Sequence, residues 1–336
     1  MKIRKLVAGK LRRYTNFTFI TYLQNFDVVI KNIVDFFKII GGLFQSLFRL
    51  VLHRPDVIFL KGGYVCLPVG IVAQILRIPY VIHDSDAAPG LTNRVLSKHA
   101  TKIATGMPLE YYHYPENKAE WTGIPINEEF SPVSTAKQKA LKKELGFDAE
   151  KPLVVVTGGS QGAQHINEAL REILPQTLKI TSVLLVAGRE RYPEMLDLKD
   201  YEVWEEGELK TNFRMVEFSA EMHKLFGAAD VVVSRAGAST MTELSAMAKT
   251  VIMIPYEKLP GYHQVKNAQA YERANAAIVV SDEKMHEDPE LLFKAIKKLV
   301  GDPDKCAEIA KNLKKFFKDN AAENLAKTVI SVAKEK

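Results

Sequence analysis

Hydrophobic and polar residues alternate in two different patterns along the chain, and the change falls near residue 54. From Val28 to Leu52, polar residues interrupt an apolar stretch at every third or fourth position. This spacing predicts an amphipathic helix with a wide apolar side. The pair Gly41-Gly42 in its middle predicts a break into two pieces. No uncharged apolar run in this stretch reaches about 18 residues, so we do not expect a membrane span.

After residue 54, short apolar runs alternate with helical patterns, and the alternation occurs twice. The predicted strands are 56–60, 80–83, 102–105, 153–157, 182–187, 231–234 and 251–255, and the predicted helices are 68–76, 87–98, 163–173 and 240–248. Between the two series, residues 122–150 contain prolines and a lysine-rich helix, which is typical of an interdomain connection. The repeated βαβ pattern predicts an α/β protein with two doubly wound parallel sheets. Ligands of such sheets bind at the carboxyl ends of the strands.

Composition restricts the class of protein and its partners. The chain has 336 residues, of which 47% are hydrophobic and 26% charged, and this excludes disordered and disulfide-rich proteins and favours two globular domains. Cys66 and Cys306 match neither a zinc nor a redox pattern, so we expect a reducing, cytoplasmic compartment and no metal. The start MKIRKLVAGKLRR lacks the apolar core of a signal peptide. Residues 1–60 hold ten basic and three acidic side chains, a net charge of +7, which predicts an anionic partner at that end.

A glycine-rich turn follows the strand predicted at 153–157 and opens a helix. Its residues Gly158, Gly159 and Gly162 allow the backbone to approach a ligand, and the start of the helix offers free N–H groups to a phosphate or diphosphate. The alternative is a tight turn that needs glycine only for its shape. The GGxxG spacing differs from the GxGxxG dinucleotide fingerprint, which argues against an NAD-dependent dehydrogenase.

A second turn, Ser234–Glu243, also joins a strand to a helix. Ser239 or Thr240 is predicted to cap that helix, with Glu243 about one turn further on. In one interpretation Glu243 completes a capping box and satisfies backbone N–H groups. In the other, its carboxylate accepts two hydrogen bonds from a vicinal diol such as a ribose.

Two further groups of polar residues follow strands, and each has two interpretations. The first group either lies on the surface or closes a sugar pocket. The second group is suited either to metal or acid–base chemistry or to capping the next helix. The first consists of His263, Gln264 and Asn267, and the second of His83, Asp84, Ser85 and Asp86.

Six stretches of the sequence together resemble one family, and they occur in that family's order. They are AGKLRRY (8–14), RPDVIFLKGGYVCLPV (54–69), IPYVIHDSDAAPGLTNR (78–94), GGSQGAQHINEAL (158–170), SRAGASTMTEL (234–244) and HQVKNA (263–268). The family is MurG of glycosyltransferase family 28. Its members transfer N-acetylglucosamine from UDP-GlcNAc to lipid I, an undecaprenyl-linked muramyl pentapeptide, and so make lipid II for peptidoglycan synthesis.

The resemblance implies a GT-B fold, in which two Rossmann-like doubly wound domains have a cleft between them. It implies an acceptor- and membrane-facing domain at 1–130 that is incomplete at its start, a linker at 131–150, a UDP-sugar-binding domain at 151–318, and a helix at 319–336 that crosses back to the first domain. The implied partners are UDP-GlcNAc, as a substrate, and the lipid-linked acceptor. No cofactor, metal or nucleic acid is expected. A role in cell-wall biogenesis, and with it in cell shape, cell division and the cell cycle, is implied as well.

The resemblance also implies a set of site residues. It places the substrates against Asp86, Asn127, Ser160, Ser219, Ala238, Ser239, Thr240, Met241, Thr242, Glu243, His263 and Gln264, and the diphosphate on Gly158, Gly159 and Gly162. Asp86 and Asn127 stand where the family pattern has an asparagine and an arginine, which implies altered donor or acceptor contacts.

No catalytic residue is assigned by the resemblance. The family's candidate base is a histidine in a Gly-Gly-Thr-Gly-Gly-His loop, and Met1 falls several dozen residues into the family pattern, after that loop. Asp84 and Asp86 are the acidic candidates on the acceptor side. Two alternatives to the transferase follow from the missing loop. One is a MurG-like protein that binds membrane or nucleotide without efficient catalysis, and the other is one half of a split glycosyltransferase.

The basic amphipathic stretch predicts peripheral attachment to the cytoplasmic side of the cell membrane, because a lipid-linked acceptor presents its sugar at the bilayer surface. Anionic lipid would attract the basic side chains, and the aromatic side chains would insert at shallow depth. The residues predicted to contact an anionic membrane surface are Phe36, Phe37, Phe44, Phe48, Lys31 and Lys38. The alternative is a helix that packs its apolar face on the domain core, and the stripe is wide enough for both.

Overall fold

The computed structural model describes residues 3–10, 26–159, 163–206, 208–258 and 260–335. The chain divides into two compact units, the first formed by Met1–Pro125 and Lys318–Lys336 and the second by Ile126–Phe317. The described helices are α1 (Phe26–Leu52), α2 (Cys66–Ile75), α3 (Leu91–Leu96), α4 (Thr135–Glu144), α5 (Gln164–Thr177), α6 (Met222–Ala228), α7 (Ala238–Ala246), α8 (His263–Arg273), α9 (Asp282–Glu287), α10 (Glu290–Val300), α11 (Pro303–Lys314) and α12 (Ala321–Lys334). Short 3₁₀ helices span Leu109–Tyr111, Tyr192–Tyr201 and Pro260–Tyr262.

The described strands form two parallel sheets and one small hairpin. They are β1 (Ile58–Leu60), β2 (Tyr80–Asp84), β3 (Lys102–Thr105), β4 (Ala119–Trp121), β5 (Leu153–Thr157), β6 (Ser182–Val186), β7 (Trp204–Glu205), β8 (Glu208–Leu209), β9 (Phe213–Val216), β10 (Val231–Ser234), β11 (Thr250–Met253) and β12 (Ile278–Val279). Every strand pair in the two larger sheets is parallel, and β7 with β8 is antiparallel. The prediction of two parallel α/β sheets is confirmed.

The first unit is built on a four-stranded sheet with the order β1-β2-β3-β4. Every residue of β2 is buried, as expected for a parallel strand that is covered on both faces. On one face, Leu60, Ile82 and Ile103 form a core with the apolar side chains of α2 and α3. The C-terminal helix α12 covers β2 and β3, and its Val332 packs against Val81 and Ala104.

The second unit is built on a six-stranded sheet with the order β12-β11-β10-β5-β6-β9. Its central strands β5, β6, β10 and β11 are buried at every position, and α5 and α10 cover one face through a continuous apolar core. The chain starts in the middle of the sheet at β5, runs outward through β6, and returns to add β10 on the other side of β5. Strand order therefore reverses between β5 and β10, and such a reversal opens a crevice at the carboxyl ends of the strands.

The segment 131–150, predicted as a linker, is part of the second unit. Its helix α4 begins after Ser134, whose side chain accepts a hydrogen bond from the Lys137 N–H, and Leu141 on α4 is buried. Gln138 donates hydrogen bonds to the carbonyl oxygens of Ala228 and Ala229. The lysine-rich sequence masked this packing, because the few apolar positions of α4 are enough to bury one side of it.

Helix α1 is continuous, and the predicted break at Gly41-Gly42 is wrong. Gly42 allows close packing against the helix and does not bend it. A Cβ on Gly42 would lie 2.3 Å from the carbonyl oxygen of Val7 and 3.2 Å from Pro68 Cγ. The segment 3–10 therefore runs directly against α1, where the Val7 N–H also donates to the Gln45 side chain at 3.0 Å.

The fully buried residues of α1 are small or polar, while many of its large apolar side chains face outward. The buried residues of α1 are Asp35, Gly42 and Ser46. The exposed residues are Phe26, Ile30, Ile33, Val34, Phe36, Phe37, Phe44, Leu47, Phe48, Val51 and Leu52, and Phe44 and Phe48 are 69% and 70% exposed. This is the reverse of the polarity that a helix on the surface of a soluble domain normally has.

Gly42→Ala and Gly41→Ala form a matched pair that tests the close packing on α1. We expect Gly42→Ala to lower the free energy of unfolding of the first unit by about 1–3 kcal/mol, because the methyl group meets backbone atoms of residues 3–10. Gly41→Ala meets only Val7 Cγ1, at 3.9 Å. It should raise stability by about 0.5–1 kcal/mol through helix propensity. Urea unfolding followed by circular dichroism measures both, and equal effects would contradict the packing argument.

Candidate functional site

A cavity of about 520 Å³ opens in the second unit where the strand order reverses. Its walls come from the segments that follow β5, β6, β10 and β11, so it lies at the carboxyl ends of parallel strands. Gly158, Gly159, Thr240 and Gln264, all predicted as site residues, line it. The size is in the range of small-molecule sites.

Two helices begin at this cavity without side-chain caps. The residues before α5 and α7 are Ala163 and Gly237, and neither provides a capping side chain. The first backbone hydrogen bonds run from Asn167 N to Ala163 O and from Met241 N to Gly237 O, both at 3.0 Å. The N–H groups before these have no acceptor within their helices. Two positive ends of helix dipoles therefore border one cavity, which favours an anion.

Glycine is required in the turn after β5 and leaves the cavity open. Gly159 has a φ of +86°, a conformation that side chains rarely adopt, and a Cβ built on it would meet no atom within 4 Å. Gly237 is different, because its φ of −76° is open to any residue and its missing Cβ also has empty space around it. The two glycines give a ligand access to the backbone N–H groups nearby.

Three basic side chains, two arginines and a histidine, lie in the cavity wall. Arg191, Arg235 and His165 line it, together with Glu190. Arg235 donates to the carbonyl oxygen of Ile254 at 3.1 Å, and its guanidinium group lies over the Tyr256 ring. None of these residues was among the predicted site residues. Arg235 directly follows β10, so its position in the sequence was a usable signal.

The structure decides between the two interpretations of Glu243. Helix α7 begins after Gly237, so Glu243 lies well past the first turn, and no side chain caps the helix. The capping box is therefore wrong. Glu243 follows Thr240 by three residues and so lies on the same side of α7 as that cavity-lining residue. Its carboxylate has no hydrogen-bond partner among the described residues, and burial raises its pKa to about 7. A half-buried carboxylate without a protein partner is suited to a ligand hydroxyl group.

Of the predicted residues after β11, one lines the cavity and another holds α8 against a neighbouring turn. Gln264 lines the cavity and its side-chain oxygen accepts from the Tyr256 N–H at 2.8 Å. Asn267 is buried and donates to the carbonyl oxygen of Ala236 at 3.0 Å, which ties α8 to the turn after β10. His263 is half-buried and is not part of the cavity wall.

Several predicted side chains do not face the cavity. Met241 is fully buried in the core, and the Thr242 hydroxyl donates to the Ala238 carbonyl within α7. Ala238 and Ser239 contribute backbone N–H groups at the start of the helix rather than lining side chains. Ser219 follows β9 and accepts from the Glu221 N–H at 3.1 Å. The periodicity of α7 explains the difference, since successive residues of one helix cannot all face one cavity.

In the first unit, the polar group at the end of β2 is structural. Asp84 accepts a hydrogen bond from Asn93 at 2.6 Å and another from the Tyr114 hydroxyl group. Burial raises the pKa of Asp84 and lowers the pKa of His83. The neutral His83 ring donates from Nε2 to the Gly123 carbonyl at 3.0 Å. With both oxygens of Asp84 engaged, this group holds the loop and α3 in place and does not offer a free base.

The remaining predicted residues are Asp86, Asn127, Ser160 and Gly162. Asp86 lies in the loop after β2, and Asn127 forms a local turn in which its side-chain oxygen accepts from the Glu129 N–H at 3.1 Å. Ser160 and Gly162 lie outside the described residues. Within the described part of the chain, no group of three or more His, Cys, Asp or Glu side chains is arranged to hold a metal. In the same residues, no helix is both long and apolar enough to cross a membrane.

Comparison with known proteins identifies the family. The glycosyltransferase family 28 C-terminal domain matches residues 153–325, and the family 28 N-terminal domain matches residues 10–105. A relative from Lachnospira eligens, named UDP-N-acetylglucosamine–N-acetylmuramyl-(pentapeptide) pyrophosphoryl-undecaprenol N-acetylglucosamine transferase, is 34% identical over 88% of this chain and 76% of its own length. A relative of the same name from a Thermoanaerobacter species is 35% identical over 88% of this chain and 79% of its own. The chain belongs to the MurG family.

Solved structures agree on the fold. Acinetobacter baumannii MurG superimposes with a TM-score of 0.70 at 24% identity, covering 88% of this chain and 79% of that protein. A UDP-GlcNAc 2-epimerase from Neisseria meningitidis, solved bound to UDP-GlcNAc, gives a TM-score of 0.60 at 12% identity, covering 88% and 81%. At these identities the likeness is one of fold, and it confirms the predicted GT-B class.

Glu243→Gln should change how the stability of the second unit depends on pH. Because the pKa is raised from its ordinary value of 4.5 to about 7, the folded state holds the proton more tightly than the unfolded chain. The stability contributed by Glu243 therefore falls as pH rises from about 4.5 to about 7. We expect the variant to lose this fall and to be more stable than the parent at pH 8 by roughly 1–2 kcal/mol, allowing for partial exposure.

Urea unfolding at pH 5 and pH 8 measures the effect. The matched control is Glu172→Gln, an exposed glutamate on α5, which should keep the pH dependence of the parent. An unchanged pH dependence in Glu243→Gln would show that the carboxylate is better solvated than its burial indicates.

Proposed function

We propose that the chain transfers N-acetylglucosamine from UDP-GlcNAc to lipid I and so makes lipid II. The proposal is supported by the names of the relatives at about 35% identity, which state this activity. It is also supported by the cavity of the second unit, which provides what a nucleotide sugar needs. The observation that carries most weight is the pair of uncapped helix starts, α5 and α7, at one cavity.

Each feature of the cavity corresponds to one part of the donor. The two helix starts, with Arg235 and Arg191, attract the diphosphate, and the glycines let it approach the backbone. Glu243, one turn along α7 from Thr240, is suited to accept hydrogen bonds from the ribose hydroxyl groups. Gln264 lies on the wall from the loop after β11, where a side-chain amide can bond to the sugar.

The reaction is an inverting displacement at the anomeric carbon of N-acetylglucosamine. The bond from that carbon to the diphosphate oxygen breaks, a bond to the 4-hydroxyl oxygen of the muramyl sugar forms, and the hydroxyl proton passes to a base. Negative charge grows on the departing UDP. Backbone N–H groups and arginines that are already oriented toward the diphosphate stabilise this charge in the transition state.

Transfer of labelled N-acetylglucosamine to lipid I tests the proposal, and Gly237→Val tests the site. The φ of −76° at Gly237 tolerates valine, and a Cβ at this position meets no atom within 4 Å, so we expect folding to be preserved. We expect the affinity for UDP and UDP-GlcNAc to fall at least tenfold, while that for uridine changes little. Calorimetry measures the three affinities.

Gly90→Val is the matched control. Gly90 precedes α3 in the first unit with a φ of −63°, and its missing Cβ also has no neighbour within 4 Å. This variant should bind donor like the parent. Equal losses for uridine and UDP in Gly237→Val, or no transfer by the parent chain, would contradict the assignment of the cavity to the donor.

We further propose that α1 attaches the protein to an anionic membrane surface, without crossing it. Its exposed phenylalanines provide apolar area, and Lys31 and Lys38 lie among them. The basic segment 3–10 runs along the same helix, since Val7 bonds to Gln45 and Arg4 contacts His53. Lysine or arginine near anionic lipid contributes about 1 kcal/mol each. The cytoplasmic side follows from the location of the proposed nucleotide-sugar donor. A link to cell division and the cell cycle would follow from lipid II synthesis alone.

Phe44→Ser with Phe48→Ser should weaken binding to anionic vesicles roughly tenfold or more, because two exposed aromatic side chains are lost. Binding of the parent should decrease as salt is raised. Vesicle sedimentation measures both. Leu196→Ser, which changes an exposed residue of the second unit, is the control and should bind like the parent. Equal binding to neutral and anionic vesicles would contradict the electrostatic part.

A further inference from the structure

A buried carboxylate joins two basic side chains that line the cavity. We propose that Asp282 is a positioning residue, which holds His165 and Arg235 toward the diphosphate of the donor, and that His165 takes up a proton when this diphosphate binds. The proposal rests on the proposed function, because it concerns the same donor cavity.

Asp282 makes an ion pair with Arg235 and a hydrogen bond with His165. It is 1% exposed, and its Oδ1 lies 2.5 Å from Arg235 Nη1, while its Oδ2 lies 2.9 Å from His165 Nδ1. The three residues come from three separate segments, which are the start of α9, the turn after β10 and the start of α5. Because one buried carboxylate uses both oxygens, the two side chains are held in a fixed relation to each other.

The ring of His165 presents its other nitrogen away from Asp282. A carboxylate only accepts hydrogen bonds, so Nδ1 donates to it and Nε2 is left as the second ring nitrogen. Nε2 has no hydrogen bond to another described residue, and the His165 side chain, 19% exposed, lines the cavity. His165 is also the second residue of α5, next to the backbone N–H groups that favour an anion.

A diphosphate would change the charge balance around His165. The groups that face it are Asp282 and His286 from α9, whose ring stacks on that of His165 at 4.1 Å, and Arg235, Arg191 and Glu190 from the cavity walls. Glu168 on α5 lies 3.7 Å from His286. A bound diphosphate adds two negative charges, which favour the imidazolium form.

Neutral His165 would present a lone pair from Nε2 to the phosphate oxygens, whereas the protonated ring donates an N–H to them. Proton uptake therefore converts a repulsive contact into a charge-assisted hydrogen bond. Asp282 makes this possible by accepting from Nδ1 in both states. Histidine is suited to this role because its charge changes near neutral pH.

Calorimetry of UDP-GlcNAc binding to the full chain, without acceptor, tests the proposal. The experiment is run at pH 7.5 in two buffers that differ in ionisation enthalpy, so that the difference in observed heat gives the number of protons exchanged. The diphosphate diester of UDP-GlcNAc has no group that titrates near neutral pH, and so any uptake belongs to the protein. We expect the parent to take up more protons than His165→Asn, because any exchange at Glu243 is common to both, and the affinity of the variant should fall at least tenfold.

Two further variants separate this role from a structural one. Asp282→Asn keeps the size of the side chain and should reduce both affinity and proton uptake. His223→Asn, at a histidine 3.7 Å from Glu129 and outside the cavity wall, is the control and should keep both. Uridine should bind all variants like the parent, which shows that the second unit is folded.

The outcomes distinguish the two proposals. In one outcome, the parent binds UDP-GlcNAc and His165→Asn binds it with the same affinity and the same proton exchange. This result would overturn the role of His165 and leave the donor assignment intact. Loss of uridine binding in His165→Asn would show a structural role and overturn the positioning role. Failure of the parent chain to bind UDP-GlcNAc would overturn the donor assignment, and the role of His165 with it.

Discussion

The reversal of strand order between β5 and β10 is the constraint on which the candidate site depends. These strands are neighbours and parallel, with Thr157 opposite Ser234, so both chains leave the sheet at the same edge. Each continues into a helix whose first N–H groups have no cap. The reversal opens a crevice and also places the starts of two helices beside it. The positive ends of the two helix dipoles repel each other unless an anion lies between them. The apolar core under α5 and α10 holds this arrangement in place.

Some charged groups of the candidate site have a partner of opposite charge and others have none in the described part of the chain. The groups without a partner are suited to bind a ligand, and the paired groups are held in place. Arg235 is paired with buried Asp282, whereas Glu243 has no partner among the described residues and carries a raised pKa. Burying a charged group without a partner costs stability. A paired arginine in the cavity wall and an unpaired carboxylate further along α7 suit a ligand with a diphosphate and hydroxyl groups. Asp84 in the first unit shows the other case, since a buried carboxylate with both oxygens satisfied has a structural role.

Helix α1 obeys a different constraint from the rest of the molecule. Elsewhere, burial follows hydrophobicity, as in β5, where every residue is buried and four of five are apolar. On α1 the contacts with segment 3–10 and with α2 select small residues such as Gly42, because the backbones approach closely. Many large apolar residues of α1 are left on the outside. Apolar patches of this kind mark interaction surfaces, and the neighbouring basic side chains are suited to an anionic one.

The sequence by itself determined the fold class and pointed to the turns that border the candidate site. Strands 102–105, 153–157 and 231–234 were predicted with the bounds they have, because their apolar residues are continuous and their ends are marked by glycine or polar residues. Short or polar strands such as β4, β9 and β12 were missed, since two or three apolar positions do not distinguish a strand from a loop. The glycine turns after β5 and β10 were recognised because the need for close backbone approach is visible in the residues themselves.

Only the tertiary structure decided which side chains act together. Asp282 and His165 are separated by 117 positions, and no periodicity in the sequence relates them. The start of α7 at Gly237 excluded a cap for Glu243, and that start depends on where β10 ends in the sheet. Likewise, the outward face of α1 was open to two interpretations, because hydrophobic spacing shows that a helix has an apolar side but does not show what covers it. The contact of its small residues with segment 3–10 determined which side remains exposed.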